Sequence, residues 1–442
     1  YFKTNTINKI MNIFAKRRNK LGKSMDNNSL SVIESASEKI RNNDVFFPFR
    51  QDSNFFYLTG YNEPHAILLV YKHKRKIYSH FFSKKPNKLD EVWTGKIASS
   101  TQIKKIHGFD KCSYLNDLNK HMSSYLSNVN TVYHSLEDTS PTKKQLDDIV
   151  IRLDKKYRHG VKSPSKTFSL KKILQSFRLI KDKVEINNIK HASEISAKAH
   201  IHLMKKCKPG ISEKDLEAEL SFIFKQNQCT DAYPAIVASG KNACTLHYTK
   251  NSSKLKNGDL LLTDAACEYL NYASDITRTI PVNGRFTQEQ KLIYELVLDA
   301  QIKAIKKCKI GNTLLDIDNE VIKIICKGLI KIGLLKGSLK QIIKDEKYKK
   351  FYMHSTSHWL GLDVHDSCDY QINDKPIKLK EGMIFTVEPG IYIGSDKSIP
   401  TKYHNIGIRI EDDILITKKG PEVLTNLVPK NITNIEEIMQ ND

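Results

Sequence analysis

"LLLTDAACEYLNYASDITRTI", residues 260–280, is an apolar strand that runs into Asp264 and returns through Asp275. The two carboxylates stand eleven positions apart. On one straight strand an odd separation puts side chains on opposite faces. A hairpin turning near Tyr269–Asn271 instead sets them side by side across a ladder. The pattern returns later in the chain. "GDLLLTD" (258–264) is echoed by "GMIFTVE" (382–388), each with a Gly followed six residues later by a carboxylate that ends an apolar strand. Another acid lies in "IGIRIEDDILIT" (406–417), where Ile408 and Ile410 alternate with Arg409 and Glu411.

A helical echo precedes the strand echo. "KPGISEKDLEAEL" (208–220) aligns without gaps on "KIGNTLLDIDNEV" (309–321), with Lys, Gly, Asp and Glu matched and Ser exchanged for Thr. Two matches in the same order indicate a domain of two similar halves. Helix starts are marked by Asp182 with Glu185, by Ser212, and by Thr287 with Gln290. Between them Ile189, Ala192, Ile195, Ala199 and Leu203 trace one helical stripe.

Upstream, "SLSVIES", "HAILLVYK" and "KIYSHFF" read as strands of a mixed α/β segment over residues 28–170. "RHGVKSPSKTFSLKK" (158–172) reads as a linker. "FAKRRNKLGKSM" (14–25) reads as an opening basic helix, with Met11 a candidate start; residues 1–25, with seven Lys or Arg and no acid, also resemble a transit segment.

A chain of 442 residues exceeds one typical core. No apolar run approaches the ~18 residues of a membrane span. The net charge of +22 is spread along the chain, in step with Lys, Asn and Ile enrichment, and forms no arginine–aromatic stripe. It is read as compositional bias, with no specific nucleic-acid or membrane partner. Eight cysteines without a C-x-x-C pair give no support to a cysteine zinc site and suit reduced thiols in the cytoplasm; a transit segment would instead place the protein in mitochondria.

Four carboxylates on apolar strands are costly without partners, and Arg409 is the one obvious local base. Two divalent cations would neutralise Asp264, Asp275, Glu388 and Glu411. Oxygen-rich ligation with one imidazole suits Mn²⁺, Co²⁺ or Fe²⁺ at least as well as zinc. The imidazole comes from "MHSTSHWLGLDVHD" (353–366), which holds His354, His358 and His365. Ser355 stands where a zinc-binding helix would need Glu. The alternation of Leu360, Leu362 and Val364 indicates a strand. Spacing alone leaves open which histidine binds metal.

These blocks, with "FPFRQDSNFFYLTGYNEP" (47–64), "LHYTKN" (246–251), "TVEPGIY" (386–392) and "GIRIEDDI" (407–414), resemble the aminopeptidase P (Xaa-Pro aminopeptidase) family, bacterial type. They span nearly the whole chain in family order. The resemblance implies an α+β protein: a smaller mixed α/β N-terminal domain (11–170), then a pita-bread catalytic domain with pseudo-twofold halves (171–436). It implies five ligands to two metal ions, usually manganese: Asp264, Asp275, His358, Glu388 and Glu411. It implies that His247, His354 and His365 contact substrate and stabilise the transition state, and that Arg409 and Tyr392 brace Asp264. Trp93 resembles a tryptophan lent to a neighbouring subunit's site in a dimer or tetramer, and Asp44 a residue of a shared pocket. Ala266, "YASD" and "HSTSH" depart from the family pattern without removing a ligand; Ala266 matters only if that position needs positive φ. The implied reaction removes the residue before a proline in second position, with metal-activated water as nucleophile and Glu388 as proton shuttle. Prolidase, which takes only dipeptides, uses the same fold. Pita-bread proteins that bind RNA or protein without catalysis typically lose metal ligands, and all five remain here.

Overall fold

The basic run near the start is part of a helix, Thr4–Ser24, in the computed structural model, which describes residues 4–440. Its positive charge has a structural use. Arg17 and Arg18 are buried and donate to the carbonyls of Tyr57 and Leu58, near the C-terminal end of the helix Ser53–Thr59. Guanidinium groups are favourable there because the last helical carbonyls lack amide partners.

The chain divides into two units, one ending at Phe177 and the other starting at Arg178. The first is built on a six-stranded sheet. Its central hairpin, Ala66–His73 with Lys76–Ser83, turns on Lys74 and Arg75, both in the left-handed region. Ser29–Glu34 pairs antiparallel with Ala66–His73 and parallel with Thr131–His134. Leu30, Val32, Ile67, Leu69 and Phe82 pack against Leu118, Met122 and Leu126 of one helix and Leu146, Ile149 and Leu153 of another. The expected linker contains a strand: Lys166–Ser169 pairs parallel with Thr131–His134 at the sheet edge. Its four residues are exposed. Lysine and serine there mark an edge strand guarded against further pairing.

The second unit carries the two similar halves. Ser212 and Thr313 each cap a helix through a capping box with an Asp three positions on. Each cap residue also makes a lone bridge, Ser212 to Lys254 and Thr313 to Lys378. Gly258 and Gly382 hold φ of +85° and +86° before the strands Leu260–Asp264 and Ile384–Val387. The first strand lies between Ile236–Ser239 and Thr277–Pro281. The second pairs with Asp412–Thr417, which also pairs with Gly420–Val423. The expected stripe along the helix Lys183–Lys206 is buried throughout.

Two local expectations fail. The hairpin turns on Leu270 and Asn271, so Tyr269 faces Tyr272. That register puts Asp264 opposite Thr277, with Asp275 diagonal to it. Pairing Asp264 with Asp275 would need the two-residue loop at 269–270, and moving that loop one position along the chain shifts every partner by two. Leu360 to Val364 is no strand. Trp359 makes one bridge to Phe385, then the chain bends. The bend wraps Asp366, which is buried against Arg178 and Lys181. A Cβ on Gly361 would stand 2.5 Å from Asp366 Oδ2. Alternating apolar residues signal burial, yet name no ladder partner.

Candidate metal centre

The strand Leu260–Asp264 delivers Asp264 half-buried at its end, and the return of the hairpin delivers Asp275 buried. A residue without a sequence signal joins them. The Tyr233 hydroxyl lies 2.7 Å from Asp264 Oδ1 and 2.5 Å from Asp275 Oδ1. One hydroxyl proton is shared between two carboxylates.

Glu411 follows the strand Ile406–Arg409. Its amide donates to the Thr277 carbonyl, and its Oε2 accepts from the Thr277 hydroxyl at 2.6 Å. Arg409 Nε donates to the same hydroxyl oxygen. Arg409 and Glu411 therefore do point the same way, although the strand breaks between them. Thr277 is a second residue that sequence reasoning missed; a threonine on a strand is too ordinary to stand out.

His358 is tied to the second half by its backbone, whose N–H donates to Thr386 Oγ1 and whose carbonyl accepts from Thr386 N–H. Its Nδ1 faces the Trp359 carbonyl at 3.2 Å, so the proton belongs on Nδ1. Nε2 then aims at Asp275 Oδ2 (3.3 Å) and Glu388 Oε1 (3.5 Å). One ligand atom each from Asp275, His358 and Glu411 lies within 4.8 Å of the others. Asp264 adjoins this group through Tyr233, and Glu388 through His358.

The electrostatics fit a cation. Burial first, and then repulsion from Asp275, Glu388 and Asp264, drives the Glu411 carboxyl far above its usual range. Burial likewise pushes Glu388 up to about 7. Burial alone would lower His358, yet Asp275 and Glu388 push it up to about 9. The cluster thus holds on to protons that divalent ions would displace.

A second chain of contacts leads from metal side to substrate side. Arg409 Nη2 donates to Asp264 Oδ2 at 2.6 Å, and its Nη1 to the Tyr392 hydroxyl at 2.8 Å. That hydroxyl meets His354 Nε2 at 2.8 Å, while His354 Nδ1 faces the Ser355 carbonyl. His354 is therefore a neutral ring that accepts from Tyr392. Burial and the Arg409 charge lower it to about 4. Among the described residues, the hydrogen-bonded link from Tyr392 to Asp264 runs through Arg409. His365 is exposed, with its ring centre 4.4 Å from that of His358. A positive charge on exposed His247 would disfavour protonation of both His354 and His365. Ala266 does not have positive φ, so that departure from the pattern strains nothing. Trp93 (87% exposed) and Asp44 lie on the surface of the first unit and are not among the residues gathered here.

A family model described as metallopeptidase family M24 matches residues 187–418, and one for the aminopeptidase P N-terminal domain matches 14–133. The chain is 38% identical to the Xaa-Pro aminopeptidase of Escherichia coli over 428 residues, covering 96% of this chain and 97% of the relative. It is 39% identical to the Haemophilus influenzae Xaa-Pro aminopeptidase over 427 residues, 96% of each. A solved structure of proline aminopeptidase P II from Yersinia pestis superposes with a TM-score of 0.95 at 37% identity, covering 98% of this chain and all of that one. Sequence, fold and the gathered carboxylates agree: the chain belongs to metallopeptidase family M24 and carries the N-terminal domain of the aminopeptidase P type.

Proposed function

We propose that this protein is an Xaa-Pro aminopeptidase that releases the first residue from peptides with proline in second position. The convergence of Asp275, His358 and Glu411, flanked by Asp264 and Glu388, carries the reading. These five residues would hold two divalent ions, with manganese the expected metal for an oxygen-rich set. Bound there, the ions supply the positive charge that acidifies water and polarises a carbonyl.

The chain's own residues do the rest. Asp264 lies nearest the fixed Arg409–Tyr392 chain and offers its carboxylate to the substrate's free amino group. His365 is free to donate to the scissile carbonyl oxygen, since both nitrogens of His354 are already engaged. Glu388, half-buried and raised toward neutrality, takes a proton at its carboxylate and returns it to the leaving proline nitrogen. That nitrogen carries no N–H, so the site needs no acceptor there. His247 would pack on the proline ring. Trp93 and Asp44 would serve a partner copy's site in a dimer or tetramer.

The test is the release of the first residue from Xaa-Pro-Xaa tripeptides by purified protein with Mn²⁺. Cleavage of Xaa-Pro dipeptides alone would make it a prolidase. Absence of release from any Xaa-Pro peptide would end the reading. Light scattering on the wild type and on Trp93→Ala tests the assembly: a monomer would remove the role given to Trp93.

A further inference from the structure

The helix Glu213–Gln226 opens with a fully buried carboxylate, Glu213. It is not needed as a cap, because Ser212 already accepts from Asp215 N–H. A buried carboxylate is tolerated only with donors around it. Glu213 Oε1 accepts from the amide and hydroxyl of Ser239, both at 2.8 Å, and from Asn242 Nδ2 at 2.9 Å. Oε2 accepts from the Tyr248 hydroxyl and the Ser253 amide, both at 2.8 Å. Burial pushes this carboxyl up, but the hydrogen bonds from Ser239, Asn242 and Ser253 hold it below the ordinary value. It is an anion at neutral pH.

Every donor comes from one segment, 239–253. Past Ser239, which ends the strand Ile236–Ser239, it has no regular structure beyond a short 3₁₀ turn, Gly240–Cys244. A second contact holds it from the other side. Gly407 lies so close that a Cβ there would be 2.3 Å from the Ala243 carbonyl oxygen. Ala243 shares a small apolar core with Tyr392, against which Leu246 and Tyr248 pack. Between those two packed residues, His247 is exposed. The segment is thus gripped at both ends by one carboxylate, leaving one imidazole facing outward.

We infer that Glu213 is a positioning residue for peptide hydrolysis, whose carboxylate fixes segment 239–253 so that His247 meets the substrate opposite His354 and His365. The inference rests on the substrate contact proposed above for His247.

A double-mutant cycle tests it. Glu213→Gln, His247→Ala and the double variant are assayed for kcat and KM on an Xaa-Pro-Xaa peptide with Mn²⁺, alongside metal content. Glu213→Gln retains one acceptor oxygen but turns an NH₂ toward the donors. It is expected to lower kcat/KM by about 10- to 100-fold, as small misplacements do, with metal content as in the wild type. In the His247→Ala background it should have no further effect, because both act through one ring. Losses that multiply in the double variant, or an unchanged kcat/KM in Glu213→Gln, would overturn the role of Glu213 alone. A His247→Ala variant as active as the wild type would overturn the His247 contact and the inference with it. If Glu213→Gln does not fold, Tyr248→Phe takes its place in the same cycle with the same outcomes and a smaller loss.

Discussion

His358 and His365 sit edge to face, yet they should fail differently. His358 is fixed by Thr386 and Trp359 with Nε2 among the carboxylates, so His358→Ala should lose metal as well as rate. His365 is exposed and makes no hydrogen bond among the described residues. His365→Ala should keep near-normal metal content and lose about 10²- to 10³-fold in kcat, the usual cost of one donor to a developing oxyanion. Elemental analysis of both purified variants decides; equal metal loss would mean the roles are wrongly divided. At this scale the sequence was legible where a residue type is expensive in its place, as acids in apolar strands are. Tyr233, Thr277 and Glu213 escaped notice because nothing local distinguishes a bridging hydroxyl or a loop-gripping carboxylate from a surface one. Only tertiary contact gives them meaning.

Between elements, the two halves offer a matched comparison. Gly258 and Gly382 hold nearly the same positive φ in equivalent places. Around Gly258 an added Cβ meets nothing within 4 Å. At Gly382 it would stand 3.0 Å from Ile180 Cγ2 and 3.1 Å from the Lys181 carbonyl oxygen. Gly258→Ala should therefore cost only the left-handed strain, about 1 kcal/mol, and Gly382→Ala clearly more. Urea unfolding of the two variants measures the difference; equal losses would show that the contact relaxes freely. The helix caps and the repeat were readable because capping boxes and glycine–strand–acid runs are local. The register of Asp264 and the bend at 361–365 were not. The first depends on which two residues form the hairpin loop, and the second on a buried ion pair with Arg178 and Lys181, distant in sequence.

For the whole molecule, acid should be destabilising through histidines as well as carboxylates. Burial, reinforced by His121 and Lys111, lowers His80 to about 3. Burial lowers His107 to about 4, against a carbonyl contact to Thr59. Both rings stay neutral in the fold, while the unfolded chain takes up protons near pH 6.5. Their contribution is complete above 6.5 and is lost as pH falls toward 4 and then 3. The unfolding midpoint of the full chain should drop between pH 7 and 5, and His107→Gln should narrow that drop; an equal drop in the variant would remove His107 from the account. The net charge of +22 was visible from composition, whereas the burial of Arg17 and Arg18 was not, because a basic helix looks alike whether its charges meet water or carbonyls.

The gathered acids also have a mechanical side. Asp264 and Asp275 belong to the first half of the catalytic unit, while His358, Glu388 and Glu411 belong to the second. Ions shared among them would rivet one half to the other. Chelation with EDTA should then lower the melting temperature as well as abolish turnover, and restoring Mn²⁺ should recover both. A melting temperature indifferent to chelation would mean the halves are held by their shared apolar core alone. If the rivet is real, a break in the backbone at the exposed turn around Asn283 would yield two fragments whose reunion is sensed by the metal, making the enzyme's own chemistry the reporter of its assembly.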